Sequence, residues 1–334
     1  MVNSDRNTAF LFPGQGAQYP GMGLDLLDSQ KAKDLFALAG DIMGQDMEAL
    51  IWDSDRETLK RSDISQPAIT LVNLAAAALL EERGIIPRLC AGFSLGEYAA
   101  LVCAGVITAE DCFRLVKERG RAMQDAADRI KAETPGQGAA PRAVSQASGM
   151  AAVIGLAPDR VEALIAEWKI EGLYGANFNS PKQTVISGAA AALEEAADRF
   201  KEAGARRVLP LAVAGPFHSP LMAGAAAAFA PVLEAAVFKD PVIPCYSNVS
   251  GGLLGSGAEA KALALRHITE PVRWTAEEAA IAGYGGIDAV LETGPGKALQ
   301  GFWRDAGSGI PCYAAGTKEE IEKCYKSLLC TEDI

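Results

Sequence analysis

The sequence predicts an α/β fold with a largely parallel sheet, into which a small βαββαβ unit of the ferredoxin-like kind is inserted. Three observations carry this expectation. Apolar helical stretches alternate with short apolar strands in both halves of the 334-residue chain. The alternation is interrupted at 128–149 by a segment rich in Ala, Gly, Pro, Ser and Gln that holds no aromatic residue. The segment after it reads strand, helix, strand, strand, helix, strand before the first pattern resumes at Val213.

Element by element, Thr8–Phe12 reads as a buried strand stopped by Pro13-Gly14. Leu24–Leu38 and Asp46–Leu50 read as helices, and Pro67–Glu82 as a long apolar helix closed by Gly84. Arg88–Ala91 reads as a strand running into the Gly92 turn, followed by an apolar helix at Leu95–Ala104 and a more polar one at Ala109–Ala127. Residues 128–149 are expected to be a flexible loop. The small unit follows as strand Met150–Leu156, helix Asp159–Lys169, strands Gly175–Asn179 and Gln183–Ser187, helix Ala190–Ala203 and strand Arg207–Ala212. Then come helix Pro220–Ala236, strand Val242–Ser247, helix Glu277–Ala282 and strand Ala289–Glu292, which ends at the turn Thr293-Gly294-Pro295-Gly296. The simplest organisation is one discontinuous domain, 1–127 with 213–334, holding an insert at 128–212. The active site is then expected in the cleft between them.

Composition narrows the function. A net charge of −11 and a pI near 4.9 argue against a nucleic-acid partner. An acidic partner would need a local basic patch, for which Arg206, Arg207, Arg266, Arg273, Lys297 and Arg304 are the candidates. The seven cysteines are scattered and none forms C-x-x-C, which fits reduced thiols in the cytoplasm better than disulfides or a metal site. The N-terminal residues show no secretory signal, and the Ala/Leu runs near 74–80 and 223–229 are too short to span a bilayer.

The chemistry-bearing residues are few. Gly92-Phe93-Ser94-Leu95-Gly96 has the G-x-S-x-G form that exposes a serine on a sharp strand-to-helix turn. Ser94 and Glu97 also fit a capping box, S-x-x-E, and the motif alone leaves both readings open. A nucleophilic serine needs a base, and the chain has only two histidines, His218 and His267. His218 follows a strand and a Gly-Pro turn, where an α/β enzyme places a catalytic base. His267, near a helix end, reads as partly exposed. The backbone N–H of Leu95, and that of Gln15 in the Gly14-Gln15-Gly16 turn, are candidate donors to an oxyanion; read alone, the latter segment is an ordinary turn. It is not a dinucleotide fingerprint, and Gly294-Pro295-Gly296-Lys297 is not a phosphate-binding loop. Arg119, on the returning helix, can hold a carboxylate through a bidentate pair or sit on the surface as an ordinary arginine.

Together LFPGQGAQYPGMG (11–23), SQPAI (65–69), GFSLGEYAALVCAGV (92–106), RGRAMQ (119–124), GMAAVIGL (149–156), NFNSPKQTVISG (177–188), GPFHSPLM (215–222), PVRW (271–274) and ETGPGKALQGF (292–302) resemble the malonyl-CoA:acyl carrier protein transacylase family, also seen as acyltransferase domains of polyketide synthases. The resemblance spans nearly the whole chain. It implies an α/β-hydrolase-like core with a ferredoxin-like insert, and malonyl transfer from malonyl-CoA to acyl carrier protein for fatty acid synthesis. It implies a monomeric cytoplasmic enzyme without metal or cofactor. Ser94 corresponds to the acylated nucleophile, His218 to its base, Arg119 to the clamp for the malonyl carboxylate, and Gln15 and Leu95 to the oxyanion hole. His267 falls where many relatives carry a glutamine whose main-chain carbonyl orients the catalytic histidine, and Asn248 is a supporting residue. Phe217 resembles malonyl-preferring members, where its bulk limits room for an α-methyl branch, a discrimination of about 1–3 kcal/mol. Two features depart from the family: Phe93 replaces the usual histidine before the nucleophile, and the stretch 128–148 is longer than usual. The rival readings are a serine thioesterase or esterase and a non-catalytic carrier-binding relative.

Overall fold

The computed structural model of the protein describes residues 6–133 and 148–329. The apolar run TAFLF forms β1 (Thr8–Phe12), buried at every residue. Helix α1 (Gln30–Met43) starts later than expected, because Leu24–Leu26 makes a separate 3-10 turn and the Ser29 side chain caps the helix by accepting the Ala32 N–H. Helix α2 (Met47–Asp53) is capped by Asp46. Helix α3 (Ser62–Glu82) begins ahead of Pro67, which sits inside it and forgoes one helical hydrogen bond. Strand β2 (Pro87–Gly92) leads into α4 (Gly96–Cys103) and α5 (Ala109–Glu133).

Next come β3 (Ser148–Ile154), α6 (Pro158–Trp168), β4 (Leu173–Ser180), β5 (Gln183–Ala189), α7 (Ala190–Glu202) and β6 (Arg207–Pro210). The chain then runs through α8 (Ala223–Ala235), β7 (Tyr246–Ser247), β8 (Gly252–Leu253), α9 (Gly257–Arg266), α10 (Trp274–Gly283), β9 (Ala289–Glu292), α11 (Ala298–Ala306), β10 (Cys312–Ala314) and α12 (Lys318–Leu329).

The main sheet is parallel, in the order β10-β9-β1-β2. Its side chains alternate as a pleated strand requires. Phe10, Phe12, Cys90 and Leu291 enter one core with α3, α4 and α5, while Ala9, Leu11, Leu89, Ala91 and Val290 enter a second with Trp274, Leu299 and Trp303. Both faces are thus covered, as in an α/β architecture. The second sheet is antiparallel, in the order β4-β5-β3-β6. α6 and α7 cover one of its faces through Val161, Leu164, Ala196 and Phe200. Met150, Ala152, Ala176 and Val185 on its other face join the first core. Backbone bonds between Ala176, Phe178 and Val272 stitch β4 to the segment before α10.

Several expectations are corrected. The loop expected at 128–149 is helical up to Glu133 and β-strand from Ser148; residues 134–147 lie outside the described residues. α5 continues because Ala126 remains in the core and Ala127 stays buried, with Ile130 packed against that core. The strand expected at Val242–Ser247 shrinks to Tyr246–Ser247: Pro244 has no N–H to give, and Val242 is 78% exposed. α3 is, by length and composition, a helix able to cross a membrane, but 83% of that stretch is buried inside the protein, where it packs on α1, α4 and α5.

Candidate active site

β1 and β2 end side by side, and the chain leaves β2 through a turn with no room for side chains. A Cβ on Gly92 would stand 2.0 Å from the Gly96 carbonyl carbon, and one on Gly96 would stand 2.0 Å from the Phe12 oxygen. Between them Ser94 adopts the left-handed region at φ 49, which is uncommon for a residue with a Cβ. The capping-box reading of this serine is corrected. α4 has no side-chain cap at its N-terminus, and Asn248 Oδ1 accepts the Ser94 N–H at 2.6 Å.

The Ser94 hydroxyl meets His218 Nε2 at 2.8 Å. His218 is also left-handed, at φ 56, in the turn after Gly215-Pro216. Its Nδ1 lies 2.9 Å from the His267 carbonyl and 3.2 Å from that of Glu270. Carbonyls only accept, so Nδ1 carries the proton and Nε2 is left free to accept the serine proton. Burial, and then the charge of Arg119, bring the His218 pKa down to about 4. The imidazole is therefore neutral, the state required of a base.

Arg119 is 1% exposed on α5. Its Nη1 donates to Gln66 Oε1 at 2.8 Å, and the guanidinium lies 5.5 Å from the centre of the Tyr98 ring. Nε and Nη2 have no hydrogen-bond partner among the described residues. A buried cation with two unpaired nitrogens is costly unless an anion completes it.

The Gly14-Gln15 turn lies against the same corner, where a Cβ on Gly14 would be 3.5 Å from Leu95 N. Gln15 is held by its side chain, which reaches the Lys60 carbonyl and the Ser62 hydroxyl at 3.3 Å. Leu95 is buried directly ahead of α4, so its N–H stands at the helix N-terminus, where the dipole favours negative charge.

Asn248 Nδ2 donates to the Gly92 carbonyl and to Glu277 Oε1, each at 2.7 Å, and its backbone N–H donates to Glu97 Oε2 at 2.9 Å. His267 is not partly exposed. It is 1% exposed, its ring centre lies 5.3 Å from that of His218, and burial leads the causes that hold its pKa well below the usual histidine value. Phe217 is buried in the first core. Phe93 is half-buried; it packs edge-on against Trp274, with centroids at 5.4 Å, and tilted against Phe302 at 6.0 Å.

The site thus unites Ser94, His218, Asn248 and Leu95, with the Gln15 turn beside them. Arg119 lies close enough for its charge to act on His218. Sequence reasoning missed Gln66, Glu277 and the bond from Glu97 to Asn248. Gln66 stood within the SQPAI motif without a role, and Glu97, three residues after Ser94, gave a signal that pointed to a helix cap.

An acyl transferase domain family model matches residues 9–308. The chain is 36% identical over 323 residues to the malonyl CoA-acyl carrier protein transacylase of Bacillus subtilis strain 168, covering 96% of each chain. It superposes with a TM-score of 0.87 on the malonyl CoA-acyl carrier protein transacylase of Coxiella burnetii, at 30% identity over 98% of this chain and 99% of that one. A TM-score of 0.86 and 35% identity relate it to a malonyl-transacylase solved in complex with its type II polyketide-synthase acyl-carrier protein, over 96% of this chain and 99% of that one. Likeness of this degree along almost the full length of both partners leads to a single assignment: the chain belongs to the malonyl CoA-acyl carrier protein transacylase family.

Proposed function

We propose that this chain moves the malonyl group of malonyl-CoA to the phosphopantetheine thiol of acyl carrier protein, through a malonyl ester on Ser94, in fatty acid synthesis. The observation that carries the proposal is the 2.8 Å approach of the Ser94 hydroxyl to a His218 Nε2 that has no proton of its own. His218 takes the hydroxyl proton as Oγ attacks the thioester carbon. The N–H groups of Leu95 and Gln15 receive the developing oxyanion, and such donors contribute a few kcal/mol to the transition state. The C–S bond breaks, and the thiolate of coenzyme A, conjugate to a thiol of pKa about 8.5, takes the proton back from His218. The carrier thiol then gives its proton to His218 and attacks the ester, which regenerates Ser94. Thioester is exchanged for thioester, so the reaction balances without a redox group or metal.

The free carboxylate of malonyl completes Arg119, whose Nε and Nη2 await a partner. Phe217 narrows the space beside the α-carbon, and Asn248 supports Ser94. We further infer an α/β-hydrolase-like core over 1–127 and 213–334 with a ferredoxin-like insert over 128–212. The antiparallel β4-β5-β3-β6 order supports the insert. A cytoplasmic setting fits the free cysteines among the described residues.

Intact-mass measurement tests the proposal. Malonyl-CoA alone should leave a malonyl adduct that is absent from Ser94→Ala, and phosphopantetheinylated carrier should discharge it. Rapid release of malonate to water without carrier would instead make the chain a thioesterase, and absence of any adduct would make it a non-catalytic relative.

A further inference from the structure

Glu97 has no part in the chemistry above, yet it is 2% exposed in the first turn of α4. Its Oε2 accepts the Asn248 N–H at 2.9 Å and stands 4.0 Å from His267 Nδ1. Asn248 in turn accepts the Ser94 N–H, and the His267 carbonyl accepts the Nδ1–H of His218. A single buried carboxyl therefore stands one residue behind each member of the Ser94–His218 pair.

We propose that Glu97 is a positioning residue that holds Asn248 against the nucleophile and His267 against the base, and that its negative charge favours the imidazolium formed when Ser94 releases its proton. This deepens the Ser94–His218 reading and rests on it. The amide of Asn248 can point only one way. Its Nδ2 is taken by the Gly92 carbonyl and Glu277, so Oδ1 must face Ser94. Glu97 fixes the backbone from which that amide projects. On the other side, neither ring nitrogen of His267 has a partner among the described residues. Closing the 4.0 Å gap by about 1 Å makes a hydrogen bond to Glu97. A buried carboxylate near an imidazole favours its protonated form. The backbone carbonyls that receive Nδ1–H carry no full charge, so Glu97 supplies what they lack.

The charged or titratable groups around Glu97 are Arg119, Tyr98, His267 and Glu277. Burial raises the Glu97 carboxyl to about 7 against the opposing pull of the Asn248 N–H and Arg119. It is therefore neutral on the acid side of that value and charged on the alkaline side, and the charge reaches the base only above it.

The test is the single-turnover rate of Ser94 acylation by malonyl-CoA, followed by intact mass from about pH 5.5 to 8.5. Wild type should accelerate by about threefold or more through pH 7. Glu97→Gln, which keeps an acceptor for the Asn248 N–H, should hold near the wild-type acid rate and lose that rise. Glu97→Ala should be slower by about tenfold at acid pH and by more above pH 7, with KM for malonyl-CoA within about twofold of wild type. A glutamine variant that keeps the wild-type rise overturns the role of the charge, whether or not the alanine variant folds, and an alanine variant at the wild-type rate overturns the hold on Asn248. Failure of wild type to form any adduct overturns the Ser94 reading and this one with it.

Discussion

Both members of the hydroxyl–imidazole pair sit where L-residues are disfavoured, Ser94 at φ 49 and His218 at φ 56, at a cost of about 1–2 kcal/mol each. Each is held by bonds from across the chain, Ser94 by Asn248 and His218 by the carbonyls of His267 and Glu270. His218→Ala should abolish rapid acylation of Ser94. His267→Ala should stay within about tenfold of wild type, because its carbonyl is retained. Burst kinetics with malonyl-CoA distinguish them, and the reverse order would name the other histidine as base. Arg119→Ala should lose malonyl transfer about 10- to 100-fold more than acetyl transfer, the value of a charge-assisted bond; equal losses would remove the clamp. Ser94 was legible because G-x-S-x-G is a local motif, and His218 because histidine is scarce. Glu277 was not, because it acts on residues far away in the chain and carries no motif of its own, and Gln66, though inside SQPAI, was given no role because its partner Arg119 is distant in the chain.

At the scale of elements, the turn between β2 and α4 works only because three backbones meet without side chains. Gly96→Ala should destabilise the fold by about 1–3 kcal/mol through overpacking on Phe12, with a matching drop in urea midpoint; an unchanged midpoint would mean that this corner yields. β1, β2 and β9 were readable from apolar runs bounded by Gly and Pro. β7 was overextended because the chain around Pro244 is apolar in composition yet cannot pair along its length. Helices α9, α11 and α12 and strand β10 were not anticipated. β10, with only three half-buried residues, takes its place by pairing with β9.

At the scale of the molecule, burial moves the ionisation of carboxyls and imidazole in opposite directions. Burial raises Glu97 to about 7 and Glu278 to about 8, while it lowers His218 to about 4. The raised carboxyls keep protons that the unfolded chain has lost, so their contribution is full at acid pH and fades as pH climbs to those values. His218 works the other way, its contribution being complete above 6.5 and lost toward 4. Between pH 6.5 and 8 only the carboxyl trend remains, and stability should fall by up to about 1.4 kcal/mol per pH unit per group. Glu278→Gln should flatten that fall in urea melts at the two pH values; an equally steep fall would exclude Glu278 as its source. The overall architecture was legible because alternation of helix and strand is recorded in short windows. Burial of His267 was not, because it depends on α4 and the His218 turn arriving from distant parts of the chain.

The place of β1 in the sheet has a consequence for synthesis. β1 lies between β2 and β9, and β9 spans Ala289–Glu292, far along the chain from β1. A nascent chain can pair β1 on one side once β2 emerges, but its second edge stays open until β9 has been translated. During that interval an apolar strand offers an unfilled hydrogen-bonding edge to any neighbour. Chaperone demand should therefore persist until β9 has emerged, and fragments stalled before residue 289 should aggregate rather than fold.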